Sequence, residues 1–278
     1  MITKEELVDC YNIKKYELNL LYKELTDEDV PSIISFLNEH PDIQALNLSD
    51  NRLTDHGVIE LVQNISVESL DLAHNDLTKE CTRAISENAD LRILKINSNN
   101  IGDEGFASLA NSNLKVLYAI DCGVTATGAK AVEGSQLMIL DLTFNDLQDE
   151  GARALSQNNQ LEELTVTACD ITDEGARALA NNTSLQILIM AENELTDQSA
   201  VIFAQKHNFK ILNLEGNQIT ARGEFKLKRN QNIIELSLAR NPIEVEQSSV
   251  SKVSIFNRPE VKSTPMSDSP DPKPGPSK

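Results

Sequence analysis

The sequence predicts an α/β solenoid that curves like a horseshoe, with a parallel sheet on its concave face and short helices on its convex face. Three observations predict this fold. A pattern returns every 23 or 24 residues along most of the chain, and leucines within each copy alternate with polar residues. The chain also has no Trp and only 7 Phe and 4 Tyr, as suits thin coils packed on aliphatic side chains. Because one coil cannot bury its own apolar face, about ten coils must stack on one another.

The repeating unit is clearest in residues 137–160, LMILDLTFNDLQDEGARALSQNNQ. Leu140 and Leu142 alternate with polar residues at period two, which predicts a short strand with its leucines turned inward. Asn145 then ends the strand, since a buried amide at a turn can satisfy backbone groups of adjacent coils. The segment DEGARAL places acidic residues at the start of a short helix, where the macrodipole favours them, and returns Leu155 to the core.

Residues 1–42 are predicted to cap the N-terminal end of the solenoid. Thr3 and Glu6 match a capping box, which predicts a helix that begins at Lys4. A degenerate first coil follows, in which Lys23 stands where later coils carry asparagine. The apolar positions of this coil are Leu18, Leu20, Leu25 and Ile33.

Residues 43–244 are predicted to form the regular coils, and three positions recur in each of them. The leucine inside each strand is Leu46, Leu70, Leu94, Leu117, Leu140, Leu164, Leu188, Leu212 or Leu236. The turn position after the strand is Asn51, Asn75, Asn99, Cys122, Asn145, Cys169, Asn193, Asn217 or Asn241. The small residue near the helix start is Gly57, Cys81, Gly105, Gly128, Gly151, Gly175, Ser199 or Gly223, because a large side chain there would collide with the neighbouring coil. We predict a packing role, and not catalysis, for the two cysteines of the turn position.

The helical segments DEGARALSQN (149–158), DEGARALANN (173–182) and IGDEGFASLAN (101–111) resemble ribonuclease-inhibitor-like leucine-rich repeats of the GALA type. This resemblance covers about residues 15–244 and implies a leucine-rich repeat solenoid that acts as a protein–protein interaction module. Inhibitors, GTPase activators and substrate adaptors share that scaffold. The chain is also similar to effectors that bacteria inject into host cells, which implies action in the host cytoplasm. Residues 1–42 lack the Leu-Pro start of an F-box.

A partner-binding surface is predicted on the concave face, where residues that alternate with the buried strand leucines are exposed. Four apolar side chains of these columns fall in the middle coils, and acidic residues surround them, as in an interface anchor with a charged rim. In the alternative interpretation, Phe144 folds over the edge of its own coil and Ile189 only favours the strand. The predicted partner-binding residues are Asp71, His74, Lys95, Tyr118, Ile120, Asp121, Asp141, Phe144 and Ile189.

Catalysis and cofactor binding are not expected. Only one of the four histidines, His74, falls on the concave side, and its grouping with Asp50 and Asp71 is of a kind that arises by chance in solenoids. The sequence has no phosphate-binding glycine loop and no nucleophile elbow. The resemblance leaves a GTPase activator as an alternative, with Arg52 or Asn100 at the edge of the array as the residues to examine, and a ubiquitin-ligase adaptor as another.

The charge of the chain limits the classes of partner that it can bind. The formal net charge of −18 repels phosphate backbones and anionic lipid, so nucleic acid and membranes are not expected, and a protein with a basic surface is favoured. We find no signal peptide and no transmembrane segment, and the 4 cysteines are scattered, which favours a reducing compartment. A cytoplasmic monomer is the expectation.

The C-terminal residues change in character. Residues 245–256 contain spaced apolar side chains and are predicted to form a small cap. From residue 257 onward the chain becomes rich in Pro, Ser, Asp and Lys, and six of its 9 prolines lie between Pro259 and Pro276. Residues 257–278 are therefore predicted to be disordered. The resemblance to injected effectors makes this tail a candidate secretion signal.

Overall fold

A computed structural model describes residues 1–243. The chain divides into two units, Met1–Glu244 and Val245–Lys278. The predicted cap at 245–256 and the predicted tail at 257–278 lie outside the described residues.

The N-terminal region begins as its sequence predicts. Helix α1 (Lys4–Cys10) starts with a complete capping box, in which Thr3 and Glu6 exchange side-chain to backbone hydrogen bonds. Strands β1 (Tyr11–Asn12) and β2 (Glu17–Asn19), a short 3₁₀ helix (Asp27–Asp29) and α2 (Val30–Glu39) follow. The four apolar residues of the predicted degenerate coil are all buried, so this coil completes the core at the N-terminal end.

Nine further coils carry one strand each. Strands β3 to β11 are Ala45–Asn47, Ser69–Asp71, Ile93–Lys95, Val116–Tyr118, Ile139–Asp141, Glu163–Thr165, Ile187–Ile189, Ile211–Asn213 and Glu235–Ser237. Helices α3 to α10 are Asp55–Val62, Lys79–Glu87, Gly102–Ala110, Ala126–Ala129, Gln148–Leu155, Asp173–Asn181, Asp197–Phe203 and Ala221–Leu227. A 3₁₀ turn, Lys130–Val132, extends α6.

All the strands of residues 1–243 belong to one sheet, and they follow one another in chain order. β1 pairs antiparallel with β2, and every later pair is parallel with the strand leucines opposite one another, as Leu117 lies opposite Leu140. Strands pack roughly 4.8 Å apart whereas helices need roughly 8 to 10 Å, so the coils form an open curved solenoid with the strands on the concave side. The predicted fold class is confirmed.

The predicted turn asparagines form a ladder of buried amides. Asn145 donates from Nδ2 to the carbonyls of Leu142 (3.0 Å) in its own coil and Ala119 (2.8 Å) in the preceding coil. Its Oδ1 accepts from the backbone N–H groups of Cys122 (3.2 Å) and Val124 (2.9 Å). One side chain therefore satisfies four backbone groups in two coils, as its burial requires.

A second asparagine ladder runs along the ends of the helices, and the sequence analysis missed it. Asn158, which is fully buried, donates to the carbonyls of Val132 (2.6 Å) and Ser135 (3.1 Å) in the preceding coil. Its Oδ1 accepts from the N–H groups of Gln160 and Leu161, which lead into the next strand. The other members of this ladder are Asn88, Asn182, Asn208 and Asn230.

Aspartates at the helix starts bond to the next coil, which adds to the macrodipole effect predicted for them. Asp173 accepts from the backbone N–H (3.0 Å) and the hydroxyl (2.6 Å) of Thr196, and also from Ser199. Similar bonds join Asp27 to Thr54, Asp55 to Thr78, Asp103 to Thr125, Asp149 to Thr172 and Asp197 to Thr220. The small residue near the helix start leaves room for this carboxylate, since a Cβ at Gly175 would lie 2.6 Å from Oδ1 of Asp149. The predicted collision with the neighbouring coil is confirmed.

The coils that precede the two cysteines of the turn position begin their helices differently from the other coils. The Cys122 thiol donates to the carbonyl of Ile96 (3.3 Å), as an asparagine Nδ2 would, but it offers no acceptor to the preceding coil. In that preceding coil, the N–H of Ile101 forms its hydrogen bond within its own coil. The N–H of Gly102, whose φ is 59°, donates to the Cys122 carbonyl (3.0 Å). Burial raises the pKa of this thiol to about 11, so it stays protonated at neutral pH.

Cys169 repeats this arrangement. Its thiol is buried, its pKa is raised to about 12 by that burial, and its carbonyl accepts from Gln148 N–H (3.0 Å), whose φ is 53°. Both coils that precede a cysteine lack the N-cap threonine and the aspartate bond to it. These two helix starts thus coincide with a cysteine at the next turn and with Lys79 or Ala126 where other coils carry the bonding aspartate.

Replacing Asp173 with Asn should destabilise the protein by about 1–3 kcal/mol near neutral pH, because hydroxyl donors lose an acceptor. Burial alone would raise the pKa of Asp173, but the hydrogen bonds from Ser199 and Thr196 outweigh it and lower the pKa below 3.8. The stabilisation by the Asp173 carboxylate is thus fully present above pH 3.8. It is lost as the pH falls through the lower pKa that Asp173 has in the folded protein. Urea denaturation from about pH 7 to pH 2.5 measures it. Glu174→Gln, an exposed carboxylate of the same helix, is the control, and an equal loss there would contradict the prediction.

Gly102→Thr should destabilise the wild type by about 1–2 kcal/mol, because a β-branched residue is strained at positive φ. In a Cys122→Asn background the cost should fall by about 1 kcal/mol or more, since the new amide acceptor permits the regular turn with a threonine N-cap. A double-mutant cycle by denaturant unfolding measures this coupling. Additive effects would show that the two positions are independent.

Candidate protein-protein interface

Two columns of side chains project from the sheet, one on each side of the buried strand leucines. The predicted column follows the leucine, and its members include Asp71, Lys95, Tyr118, Asp141 and Ile189. The column that precedes the leucine was not analysed from the sequence, although the same alternation identifies it. Its members are Ala45, Ser69, Ile93, Val116, Ile139, Glu163, Ile187, Ile211 and Glu235.

Three neighbours in this preceding column, Ile93, Val116 and Ile139, form what we term the apolar stripe. They lie opposite one another on β5, β6 and β7, and all are partly exposed. Glu163 interrupts the column on β8 before Ile187 and Ile211 resume it. The stripe therefore covers three adjacent coils in the middle of the sheet.

Asp71 is not part of an exposed rim, and its predicted exposure is wrong. Only 6% of the residue is exposed. Its Oδ1 accepts from the N–H of Ala73 (3.1 Å), and the Lys95 ammonium lies 3.6 Å from its Oδ2. Burial raises the pKa of this carboxyl in spite of both interactions. Asp71 therefore bonds to the end of its own strand and pairs with Lys95 of the next coil.

Asp141 behaves in a similar way. It is half-buried, and its Oδ1 accepts from the backbone N–H (2.9 Å) and the hydroxyl (2.7 Å) of Thr143. Burial again raises the pKa of the carboxyl above its usual value. Both hydrogen bonds of Asp141 therefore go to Thr143, two residues later in its own coil.

The strand β6 carries an apolar row across the concave face. Val116 and Tyr118 belong to this strand, Ile120 follows two residues later in the turn, and all three are partly exposed. The Lys95 ammonium lies 5.8 Å from the centre of the Tyr118 ring, and the backbone of Ile120 is held by the Asn97 amide (3.0 Å). Tyr118 and Ile120 thus lie two residues apart on the same coil.

The residue before each turn asparagine or cysteine has a left-handed backbone. These residues include Asp50, His74, Ser98, Asp121, Phe144, Ala168, Glu192 and Arg240, with φ between 51° and 58°. Phe144 is 58% exposed, so it does not bury itself against its own coil. A left-handed phenylalanine is strained by about 1–2 kcal/mol relative to glycine.

Exposed carboxylates concentrate at this turn and not on the strands. We term the group Asp76, Asp121, Asp146, Asp170 and Glu194 the acidic turn edge; all five are exposed. Nearby Glu192 is paired with Arg240 at 2.8 Å. The acidity that the sequence placed on the whole concave face therefore lies along one border of it.

The opposite border, where the strands begin, carries a different set of groups. Arg92 and Lys115 directly precede Ile93 and Val116, and the Lys115 ammonium donates to Gln136 (2.6 Å). Met138, which precedes Ile139, is 41% exposed. The apolar stripe is thus flanked by carboxylates on one side and by cations on the other.

The predicted site residues do not form a single cluster. Tyr118, Ile120, Asp121 and Phe144 belong to two adjacent coils, β6 and β7. Ile189 on β9 lies three strands from Tyr118, or roughly 14 Å at the usual strand spacing. His74 is exposed, but it is three coils away from Phe144 on the other side. The predicted residues that lie on the coils of the apolar stripe are Lys95, Tyr118, Ile120, Asp121, Asp141 and Phe144.

Other sites receive little support from the described part of the chain. Among residues 1–243, no group of three or more His, Cys, Asp or Glu side chains is arranged to hold a metal ion. Arg52, at the turn edge, lies 3.5 Å from Glu24. No helix within these residues has the length and the apolar character needed to cross a bilayer.

Comparison with known proteins identifies the repeat. The Leucine Rich repeat family matches residues 39–62, 63–81, 87–110, 136–156, 157–180, 181–204 and 205–227. The ribonuclease inhibitor of Mus musculus is 31% identical over 162 residues, which cover 51% of this chain and 36% of that protein. The ribonuclease inhibitor of Sus scrofa is 30% identical over the same shares. The chain thus spans about a third of the length of these relatives. A plant peptide hormone receptor, RGFR1 in complex with RGF2, is similar at 18% identity and a TM-score of 0.45, over 82% of this chain and 44% of that one.

Phe144→Asn should leave the free energy of unfolding unchanged or raise it by up to about 1 kcal/mol, because asparagine tolerates a left-handed backbone. Phe144→Val should lower it by about 1–2 kcal/mol, since β-branched residues tolerate that backbone least. Denaturant unfolding of both variants measures the difference. Equal stability of the two would show that the left-handed conformation is not a constraint at this position.

Proposed function

The chain belongs to the leucine-rich repeat family, and from this premise we propose that it captures a protein partner on the concave face of its repeats. The observation that carries the proposal is the apolar group at β6 and β7, where Tyr118, Ile120 and the largely exposed Phe144 lie on adjacent coils whose backbones are hydrogen-bonded to one another. Aromatic anchors on a rigid support contribute most to protein interfaces, because they lose little conformational entropy on binding.

The partner in this proposal has a basic surface. The acidic turn edge borders the apolar group, and the whole chain has a net charge of −18. Such a field attracts cationic proteins over about 8–10 Å at physiological salt and raises the association rate. Binding should therefore weaken as salt increases, mainly through slower association.

We further propose that the chain inhibits the partner that it captures. Its support is the similarity to ribonuclease inhibitors over 162 residues. We also propose that the chain acts as a monomer inside a cell, as an effector injected into a host. This part of the proposal rests only on the GALA-like helices at 149–158 and 173–182.

The alternative is a GTPase activator or a ubiquitin-ligase adaptor on the same scaffold. Assays of GTP hydrolysis or ubiquitination on the captured partner distinguish these functions.

The test is affinity capture from cytosolic extract with the purified chain, followed by titration of the captured protein. The double variant Tyr118→Ala/Phe144→Asn should bind at least about 10-fold more weakly, because both anchors are removed while the left-handed turn is preserved. Phe225→Ala is the matched control, since Phe225 on α10 is also 58% exposed but lies on the helical side.

A partner that binds the wild type and the double variant equally, with the fold intact by circular dichroism, would place the interface elsewhere. Equal weakening in the Phe225 variant would contradict the proposal as well.

A further inference from the structure

The apolar stripe has a spacing that matches one kind of partner element. Ile93, Val116 and Ile139 repeat once per strand, and strands are roughly 4.8 Å apart, so the stripe spans roughly 10 Å. An α-helix laid across the strands advances 5.4 Å per turn and would place one turn over each coil, or about 11 Å for two steps. An extended segment advances roughly 6.7 Å between side chains on one face and would lose register after one coil.

The width of the surface also suits a helix. The chain from Lys115 to Asp121 has seven residues, with β6 at its centre and the left-handed turn at Asp121, and its six steps span at most roughly 20 Å. A helix with its side chains is about 10–12 Å across, which leaves room for long charged side chains to reach both borders. Val116, Tyr118 and Ile120 would lie beneath the helix as an apolar floor.

The charges of the two borders define which helix fits. Asp121 and Asp146 of the acidic turn edge lie on one side, and Arg92 and Lys115 lie on the other. A complementary helix carries an apolar face in the centre, with lysine or arginine on one flank and acidic or neutral residues on the other. This asymmetry also sets how the helix is rotated about its own axis.

We propose that strands β5 to β7 bind an amphipathic α-helix of the protein partner, which lies across the strands with its basic flank toward the acidic turn edge. The inference rests on the proposed function and specifies the partner element that the concave face recognises. Anchor side chains at i, i+3 or i+4, and i+7 would contact successive coils, as in other grooves that bind helices. Glu163 on β8 ends the apolar stripe, so three coils and about three helical turns are used.

The test uses a displayed library of random 16-residue peptides, selected on the complete chain. Selected peptides should show apolar residues at helical spacing with lysine or arginine on one flank, and they should gain helical circular dichroism on binding. Val116→Glu/Ile139→Glu should weaken their binding at least about 10-fold, because two carboxylates would enter the apolar contact. Glutamate already occupies this column at Glu163 and Glu235, so the fold should tolerate the change.

The matched control is Ile187→Glu/Ile211→Glu, which alters the same column outside the stripe and should leave binding unchanged. Asp121→Asn/Asp146→Asn should weaken binding about 3- to 10-fold and reduce its salt dependence, while keeping a residue type that tolerates the left-handed backbone at 121.

Three results would overturn the inference: a selection without binders, binders that lack helical periodicity, or binders that ignore the stripe variant. If a captured protein binds the Val116→Glu/Ile139→Glu variant normally but fails to bind the Tyr118→Ala/Phe144→Asn variant, that result would support the proposed function. It would reject only the proposal that the bound element is a helix. Helical peptides that bind the stripe, without any protein captured through Tyr118 and Phe144, would reject the proposed function instead.

Discussion

The buried asparagine at the end of each strand is the interaction on which the rest of the structure depends. Every coil must turn out of the sheet, and the turn leaves backbone N–H and C=O groups in an apolar core. Asn145 satisfies four of these groups in two coils at 2.8 to 3.2 Å. Since an unsatisfied buried backbone group costs about 1–3 kcal/mol, each such amide removes a large cost of burying its turn, and at Cys122 and Cys169 a thiol donor and a changed backbone take its place.

Two further sets of polar bonds keep the coils in register on the helical side. The helix-end asparagines, such as Asn158, bridge backbone groups of successive coils, and the helix-start aspartates bond to the next threonine. Where all three sets are present, they tie a coil to its neighbour at three points, as at Asn208, Asp173 and Asn193. These bonds also fix the register of the strands on the concave face. Ile93, Val116 and Ile139 are therefore opposite one another in the sheet.

The candidate surface is unevenly charged because its carboxylates differ in exposure. On the strand columns, Asp71 is buried and Asp141 is half-buried, and burial raises the pKa of both. At the turn, the carboxylates of the acidic turn edge, such as Asp121, are exposed. At β5 to β7 the most exposed carboxylates therefore lie at the border beside the apolar stripe, as in an interface with a dry centre and a polar rim.

The sequence by itself determined the strand leucines, the turn asparagines, the small residues near the helix starts and the N-terminal capping box, because each follows from local periodicity or a short motif. It also contained the column with Ile93, Val116 and Ile139, which the same alternation would have found. Only the tertiary structure decided the burial of Asp71, the separation of Ile189 from Tyr118, and the effect of Cys122 on the turn at Gly102. These depend on what the neighbouring coil supplies, some 20 or more residues away in the chain, and no local pattern carries that information.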